Sequence, residues 1–387
     1  MCREQNRNII TPSMGFTFVH TADWQIGKRF GAFPAEKAAV LRAQRLDAVD
    51  RVAAAAERAG TGTVLVAGDV LDSETLSDSV AGQLLARLKG YAKLTWHLLP
   101  GNHDPARAGG VWEAISAGGL PANVRVHARQ GLVELQPGVA LLAAPLSAKS
   151  TTRDPTAFMD AVASPAGTIR IGLAHGSVQG FGSVGDANVR IDPARAKSAG
   201  LSYLALGDWH GTTRISDRVW YSGTPEPDGF RDNNPGHVLA VTIEAAGAVP
   251  KVERIPTAHF TWLRREQRLE GAGGLATIEA EIDGFGSTAS RRLLALTLQG
   301  LVSLAESASI EQRLAKLALQ LFHLQTDVAS LKTAAVSSDL EALGQGVLAS
   351  VAQRLKAAAG GKGEDAETAQ RALRKLFTLA RLAEAAP

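Results

Sequence analysis

The sequence predicts an α/β protein built on a largely parallel sheet covered by helices. Two observations predict this class. Short apolar runs alternate with longer stretches of helical spacing from Phe16 to Leu99, the β-α-β-α-β order that parallel sheets require. These runs also end abruptly in Gly, Pro, Asn or Asp, as buried strands do at a turn. A chain of 387 residues has length for more than one domain and a large core. Its 45% hydrophobic and 20% charged content places it among globular chains rather than disordered ones.

Taken in order, residues 1–14 read as a flexible leader, with Met14 as an alternative start. The leader is polar and lacks the apolar centre of a signal peptide. Phe16 to His20 is a strand running into Thr21-Ala-Asp23-Trp-Gln25-Ile-Gly27. Glu36 to Ala59 is a helix stopped by Gly60. Val64 to Ala67 is a buried strand ending in Gly68-Asp69-Val-Leu-Asp72. Ser73 is a candidate cap for a helix carrying Leu76, Val80, Leu84, Leu85 and Leu88 on one face. Leu94 to Leu99 is a strand that stops at Pro100-Gly101-Asn102-His103-Asp104.

Further strands are expected at Val124–His127, Val133–Leu135 and Val139–Ala144, followed by a helix over Asp154–Ala163. Thr168 to Ala174 is a strand ending at His175-Gly176, and a Gly- and Ser-rich loop runs from Ser177 to Gly185. Tyr203 to Leu206 ends at Gly207-Asp208-Trp209-His210-Gly211. Trp220–Pro225 and His237–Ile243 read as antiparallel strands closing the far side. These elements place a first domain at 15–254, the one that carries the strand-end clusters described below. Beyond it, His259–Leu269, Leu293–Ser303 and Phe322–Leu331 are candidate strands of a small α+β module over 255–335. Asp339–Ala359 and Ala366–Ala385 are amphipathic helices within a C-terminal segment, 336–387. Their apolar faces (Leu340, Leu343, Val347, Val351, Leu355; then Leu373, Leu376, Phe377, Leu379, Leu382) suit docking to a partner.

Net charge narrows the function little. At +3 it permits nucleic-acid binding without requiring it, because a local groove matters more than the sum. The single cysteine, Cys2, excludes an intramolecular disulfide and fits a reducing, cytoplasmic setting. No stretch approaches the length of a membrane span.

The chemistry lies at five strand ends, which supply Asp23 with Gln25, Asp69, Asn102 with His103, His175, and Asp208 with His210. Ligands in open α/β folds gather at the carboxyl ends of strands, so these loops can meet. Two divalent ions about 3.5–4 Å apart need a bridging carboxylate, and Asp69 is placed for that role. One ion would then take Asp23, Gln25, Asp69 and His210, the other Asp69, Asn102, His175 and Asp208. Such a pair activates a water for in-line attack on phosphorus. His103 stands as general acid or transition-state donor, with Asp104 fixing its tautomer. Taken singly, Asp69 is a turn residue and His175 a core histidine; their company favours the metal reading. His20 reads as core or as support for a ligand. Asp72 reads as an orienter, and Trp24 and Trp209 as packing that shields the site. Lys28, Arg29 and Arg107 are candidate phosphate contacts.

Thr21-Ala-Asp23-Trp24, Gly68-Asp69-Val-Leu-Asp72, Gly101-Asn-His-Asp104, Ala174-His175-Gly176 and Gly207-Asp208-Trp-His210 resemble the five ordered motifs of calcineurin-like metallophosphoesterases. Within that superfamily, the His20-Thr-Ala-Asp-Trp24 opening and the chain length are most similar to SbcD-type DNA repair exonucleases. The resemblance covers residues 16 to 245. It implies a four-layer α/β/β/α sandwich, two Mn²⁺ ions and hydrolysis of DNA phosphodiesters. It also implies a small capping domain and an SMC-like ATPase partner with a long coiled coil; homodimerisation is left open. Gln25 and Asp208 stand where the family pattern has histidines. Both replacements offer hard oxygen, which suits Mn²⁺ or Mg²⁺. The expected function is therefore a metal-dependent DNA exonuclease or endonuclease. The alternatives are a small-molecule phosphodiesterase or phosphatase, and a DNA-end binding module with weakened metal sites.

Overall fold

The computed structural model describes residues 15–75, 77–181, 189–334 and 346–384. The expected leader, Leu76, residues 182–185 of the Ser177–Gly185 loop and the expected helix start at Asp339 lie outside these. The chain divides into two units, one of residues 1–228 with 233–259, the other of 229–232 with 260–387.

In the first unit, strand β1 (Phe16–Thr21) is followed by α1 (Ala35–Arg58), β2 (Thr63–Val66), α2 (Asp78–Gly90), β3 (Thr95–Leu98), α3 (Val111–Ala117) and β4 (Val124–Val126). The four strands pair in parallel in that order, as the alternation of runs and helices requires. A hairpin of β5 (Gly131–Gln136) and β6 (Val139–Ala144) then starts a second sheet. It continues through β7 (Ile169–His175) and, after the short parallel pair β8 (Ser177–Val178) and β9 (Arg190–Ile191), the helix α4 (Arg195–Ser198) and β10 (Tyr203–Gly207). The strands β11 (Thr213–Arg214) and β12 (Val219–Tyr221) finish it, in the order β11-β12-β10-β7-β6-β5. The chain returns to the first sheet as β13 (His237–Ile243), antiparallel to β1, and β14 (Lys251–Pro256).

Alternation along the strands sets the layers. Phe16 and Phe18 of β1, Leu65 of β2 and Val241 of β13 pack with Leu141, Ile171 and Tyr203 of the second sheet in one buried cluster. Val19, Val64 and Val66 point the other way, to Val49, Val52, Leu84 and Trp112 of the helices. On the far side of the second sheet, Leu142, Leu204 and Tyr221 cover Met159, Ile191 and Ala196. The unit is thus the α/β/β/α sandwich that the motif resemblance implies.

Four local expectations change. The second helix begins at Asp78 after Ser77, because the Ser73 hydroxyl instead accepts from Thr75 N at 3.1 Å in a local turn. Asp154–Ala163 is helical only as a 3₁₀ turn at Ala157–Asp160. There the Asp154 carboxylate accepts from the Thr156 backbone and hydroxyl and from Arg195, fixing a turn in place of a first helical turn. Val219–Tyr221 pairs in parallel with β10 and lies in a different sheet from His237–Ile243. The strand expected to end at Leu331 divides into two short strands, described next.

The second unit holds β15 (Thr261–Glu270), α5 (Ala276–Gly284), β16 (Arg292–Ser303), α6 (Leu304–Gln320), β17 (His323–Asp327) and β18 (Leu331–Ala334). Its strands are all parallel, with β16 pairing each of the others. Ser303 and Glu306 form a reciprocal capping box at the start of α6. The C-terminal helices α7 (Val347–Ala359) and α8 (Glu364–Glu384) follow. Leu373 and Phe377 of α8, with Ala352 of α7, are buried on Leu304 and Ala308 of α6. Part of the face expected to dock a partner is therefore used internally, while Val347, Val351 and Leu379 remain exposed. Leu340 and Leu343 lie outside the described residues. No helix among the described residues is long and apolar enough to cross a membrane.

Candidate metal centre

Parallel strands aim their carboxyl ends the same way, and the loops after β1 and β2 are then zipped together by backbone. Asp23 N donates to Gly68 O at 3.1 Å and Gln25 N to Asp69 O at 2.9 Å. Holding these loops so close forces unusual backbone. Asp23, Gln25, Asp69 and Asp208 have φ of 54°, 48°, 52° and 101°, four of the six described non-glycine residues at positive φ. Left-handed backbone costs energy for such residues and gathers at functional sites.

Asp23, Asp69 and His175 are fully buried, and a ligand atom from each lies within 4.8 Å of the others. Around His175 Nε2 stand Asn102 at 2.8 Å, Asp69 Oδ1 at 3.5 Å and Asp208 Oδ1 at 3.9 Å. His175 Nδ1 donates to Ala67 O at 2.8 Å, which turns Nε2 towards the cluster. The end of the Asn102 amide facing Nε2 also lies 3.2 and 3.3 Å from the two Asp69 oxygens. As an NH₂ group it has two hydrogens to share among these three atoms. As a carbonyl oxygen it joins them in a ring of lone pairs that a cation satisfies. The donor set thus fits a hard divalent ion.

The charges agree. Burial raises the Asp23 pKa to about 6, against the nearby His210 and His175. Burial disfavours charged His175, yet Asp69, Asp23 and Asp208 outweigh it and raise its pKa to about 9. Buried carboxylates in this number call for a positive partner.

Asp208 N donates to Asp23 Oδ1 at 3.1 Å, and the Ser177 hydroxyl donates to Asp208 Oδ2 at 2.6 Å. His210 is largely buried, its side chain 12% exposed, with Nδ1 3.0 Å from Asp228 Oδ1, while Lys28 Nζ is 2.6 Å from Asp228 Oδ2. Arg45, also buried, donates to Asp23 O, Trp24 O and Glu226 O at 2.8–2.9 Å. Ser177, Asp228 and Arg45 escape the motif reading. Asp228 sits in a Pro- and Gly-rich turn and Arg45 inside a charged helix, where neither residue type stands out.

Two expectations are corrected. Asp104 does not orient His103: it is buried, and its oxygens accept from Gly101 N at 2.7 Å and Leu71 N at 3.0 Å. Adjacent side chains on this turn diverge. His103 is exposed, with Nδ1 3.1 Å from Asp72 O, so the backbone of Asp72 sets its ring. Gln25 turns its amide nitrogen, not its oxygen, to the site, donating to Asp69 Oδ2 at 2.9 Å. Elsewhere, His20 is buried between the Tyr203 hydroxyl and Leu206 O. Trp24 is buried edge-on to Trp96, whereas Trp209 is partly exposed beside Phe181. Of the basic candidates, Lys28 pairs with Asp228 and Arg107 with Glu74.

Buried carboxylates and an imidazole thus gather from the carboxyl ends of strands in both sheets, in a cluster that could hold a metal ion. Residues 16–196 match the calcineurin-like phosphoesterase family, and Asp208 and His210 lie just beyond the matched segment. No curated protein matches the sequence. Among solved structures, the crystal structure of TT1561 of Thermus thermophilus is similar at 13% identity and a TM-score of 0.40, covering 62% of this chain and 98% of that one.

Proposed function

We propose that this chain is a metal-dependent nuclease that hydrolyses DNA phosphodiesters as an exonuclease or endonuclease. The observation that carries the hydrolase reading is the ring of Asp69, Asn102, His175 and Asp208 donors, with Asp23 alongside and His103 at its exposed edge. Asp23, Asp69 and His210 would hold one cation and Asp69, Asn102, His175 and Asp208 a second, with Mn²⁺ the favoured ion. Bound there, divalent ions supply charge neutralisation and polarisation of the phosphoryl group. The chain's own residues do the rest. Asp69 directs Oδ1 towards His175 and Oδ2 towards Gln25, His175 presents Nε2 with Nδ1 held by Ala67 O, and His103 stands within reach of solvent to hand a proton to the leaving oxygen. The choice of DNA rests on the motif resemblance to SbcD-type exonucleases. On that reading an SMC-like ATPase is the partner and the cytoplasm the setting.

Purified chain incubated with Mn²⁺ and end-labelled single- and double-stranded DNA tests the reading. Sequence-independent shortening that stops in EDTA and in Asp69→Asn is the expected result. Hydrolysis of bis-p-nitrophenyl phosphate with DNA left intact would move the assignment to a small-molecule phosphodiesterase. Binding of DNA ends without turnover would make the chain a binding module.

A further inference from the structure

We propose that Asp228 is a positioning residue of the metal centre, holding His210 so that its Nε2 faces the Asp23 side, with Lys28 fixing Asp228 in turn. The inference rests on the metal-centre reading above and adds a residue outside the five motifs.

An imidazole binds a cation through one nitrogen and is steered by what the other touches. Asp228 Oδ1 lies 3.0 Å from His210 Nδ1, and an ionised carboxylate only accepts, so Nδ1 carries the proton. Nε2 is then the free lone pair. The second oxygen of Asp228 is held by Lys28 Nζ at 2.6 Å, so the carboxylate is gripped from both sides. Its side chain is only 5% exposed, so the carboxylate itself is shielded from bulk water.

The grip reaches the ligand loop itself. Lys28 N donates to Gln25 O at 3.2 Å, tying the cation partner of Asp228 to the turn that carries Asp23 and Gln25. Arg45 joins the same two stretches from beneath, bonding Asp23 O and Trp24 O on one side and Glu226 O on the other. The 23–28 and 224–228 segments therefore behave as one frame with His210 leaning on it. The arrangement matters more in this chain than the motif pattern suggests. Gln25 offers no imidazole, so His210 is the single imidazole of the Asp23 side, and its aim decides whether that position forms.

The test uses Mn²⁺ alone, with binding to the full chain followed by the electron paramagnetic resonance of the free ion. Asp228→Asn should weaken one of two binding positions about 10–100-fold and leave the other unchanged. In a His210→Gln background, Asp228→Asn should add nothing further, because it acts through that ring. A full additional loss in that background, or binding by Asp228→Asn equal to wild type, overturns the proposal. Nitrogen-15 spectra of the wild-type, metal-free protein give a second measurement that no variant's folding can spoil. His210 should show a protonated Nδ1, and a bare Nδ1 would sink the idea. Absence of any Mn²⁺ binding by wild type would instead overturn the metal centre, and this inference with it.

Discussion

Gln25 and Asp69 are joined inside the site: the glutamine Nε2 donates to Asp69 Oδ2 at 2.9 Å, and both side chains are buried. The other Asp69 oxygen accepts from His103 N at 2.9 Å. The carboxylate is therefore held by one donor on each side before any cation is present. Removing the glutamine donor leaves a buried oxygen short of a partner. Gln25→Ala should lower the unfolding free energy of the metal-free protein by about 1–3 kcal/mol, read from urea denaturation in EDTA. An unchanged midpoint would mean that the amide does not support Asp69.

His103 differs from the ligands in being exposed, with a side chain 48% accessible, and in lying 4.0 Å from Asp69 Oδ2 through Nε2. A residue so placed can donate to a leaving group without holding a cation. His103→Ala should cut turnover of bis-p-nitrophenyl phosphate by about 10²–10⁴-fold while Mn²⁺ content stays the same. Since Asp104 points into the backbone, Asp104→Asn should disturb stability rather than act as a second His103 variant. A pH-rate profile for Asp104→Asn with the wild-type shape and reduced thermal stability would bear this out.

What the sequence makes legible follows from how local the cause is. The Asp23, Asp69, His175 and Asp208 positions are readable because each follows an apolar strand and its abrupt end. Parallel pairing joins the strand ends of Asp23 and Asp69 in one sheet and those of His175 and Asp208 in the other, and the packing of the two sheets brings the pairs together. The side-chain partnerships are not. Whether Asp104 meets His103 depends on the turn's dihedrals, and the backbone N–H groups of Gly101 and Leu71 outbid the imidazole. Asp228 lies 18 residues after His210, with no pattern linking them, and only the folded loop brings their atoms to 3.0 Å. The capping of α2 likewise turned on whether Ser73 bonded forward into a turn or into the helix.

Away from the site, His97 and His127 stack with rings 5.2 Å apart and 5° from parallel, and His97 Nδ1 lies 3.0 Å from His127 Nε2. That contact needs one donor and one acceptor, so both rings cannot be cations. Burial, with Arg125 nearby, lowers His97 to about 3 and His127 to about 4. Unfolded histidine titrates near 6.5, so below that pH the unfolded chain takes up protons that the folded pair refuses. The pair's contribution is complete above about pH 6.5 and is lost as pH falls towards 4. Urea midpoints should drop over that window, and His97→Phe/His127→Phe should flatten the drop. An equally steep drop in the double variant would assign it to other groups.

Gly101 gives the sharpest check on the site's geometry, because the argument there is one of space alone. Its φ is not positive, so alanine meets no backbone strain, but a Cβ would overlap both the Asp69 carboxylate and the Asp69 backbone nitrogen. A side chain can swing aside; a backbone nitrogen cannot do so without moving the strand end that carries it. Gly101→Ala should therefore displace Asp69, weaken Mn²⁺ binding at least about tenfold and cost about 1–3 kcal/mol of stability. Gly131, on β5, has nothing within 4 Å of its would-be Cβ and serves as the control. Gly131→Ala should bind Mn²⁺ and unfold as wild type does. If Gly101→Ala also behaved as wild type, the loops after β2 and β3 would have to lie further apart than the positions of Gly101 and Asp69 allow, and the four-donor ring would go with them.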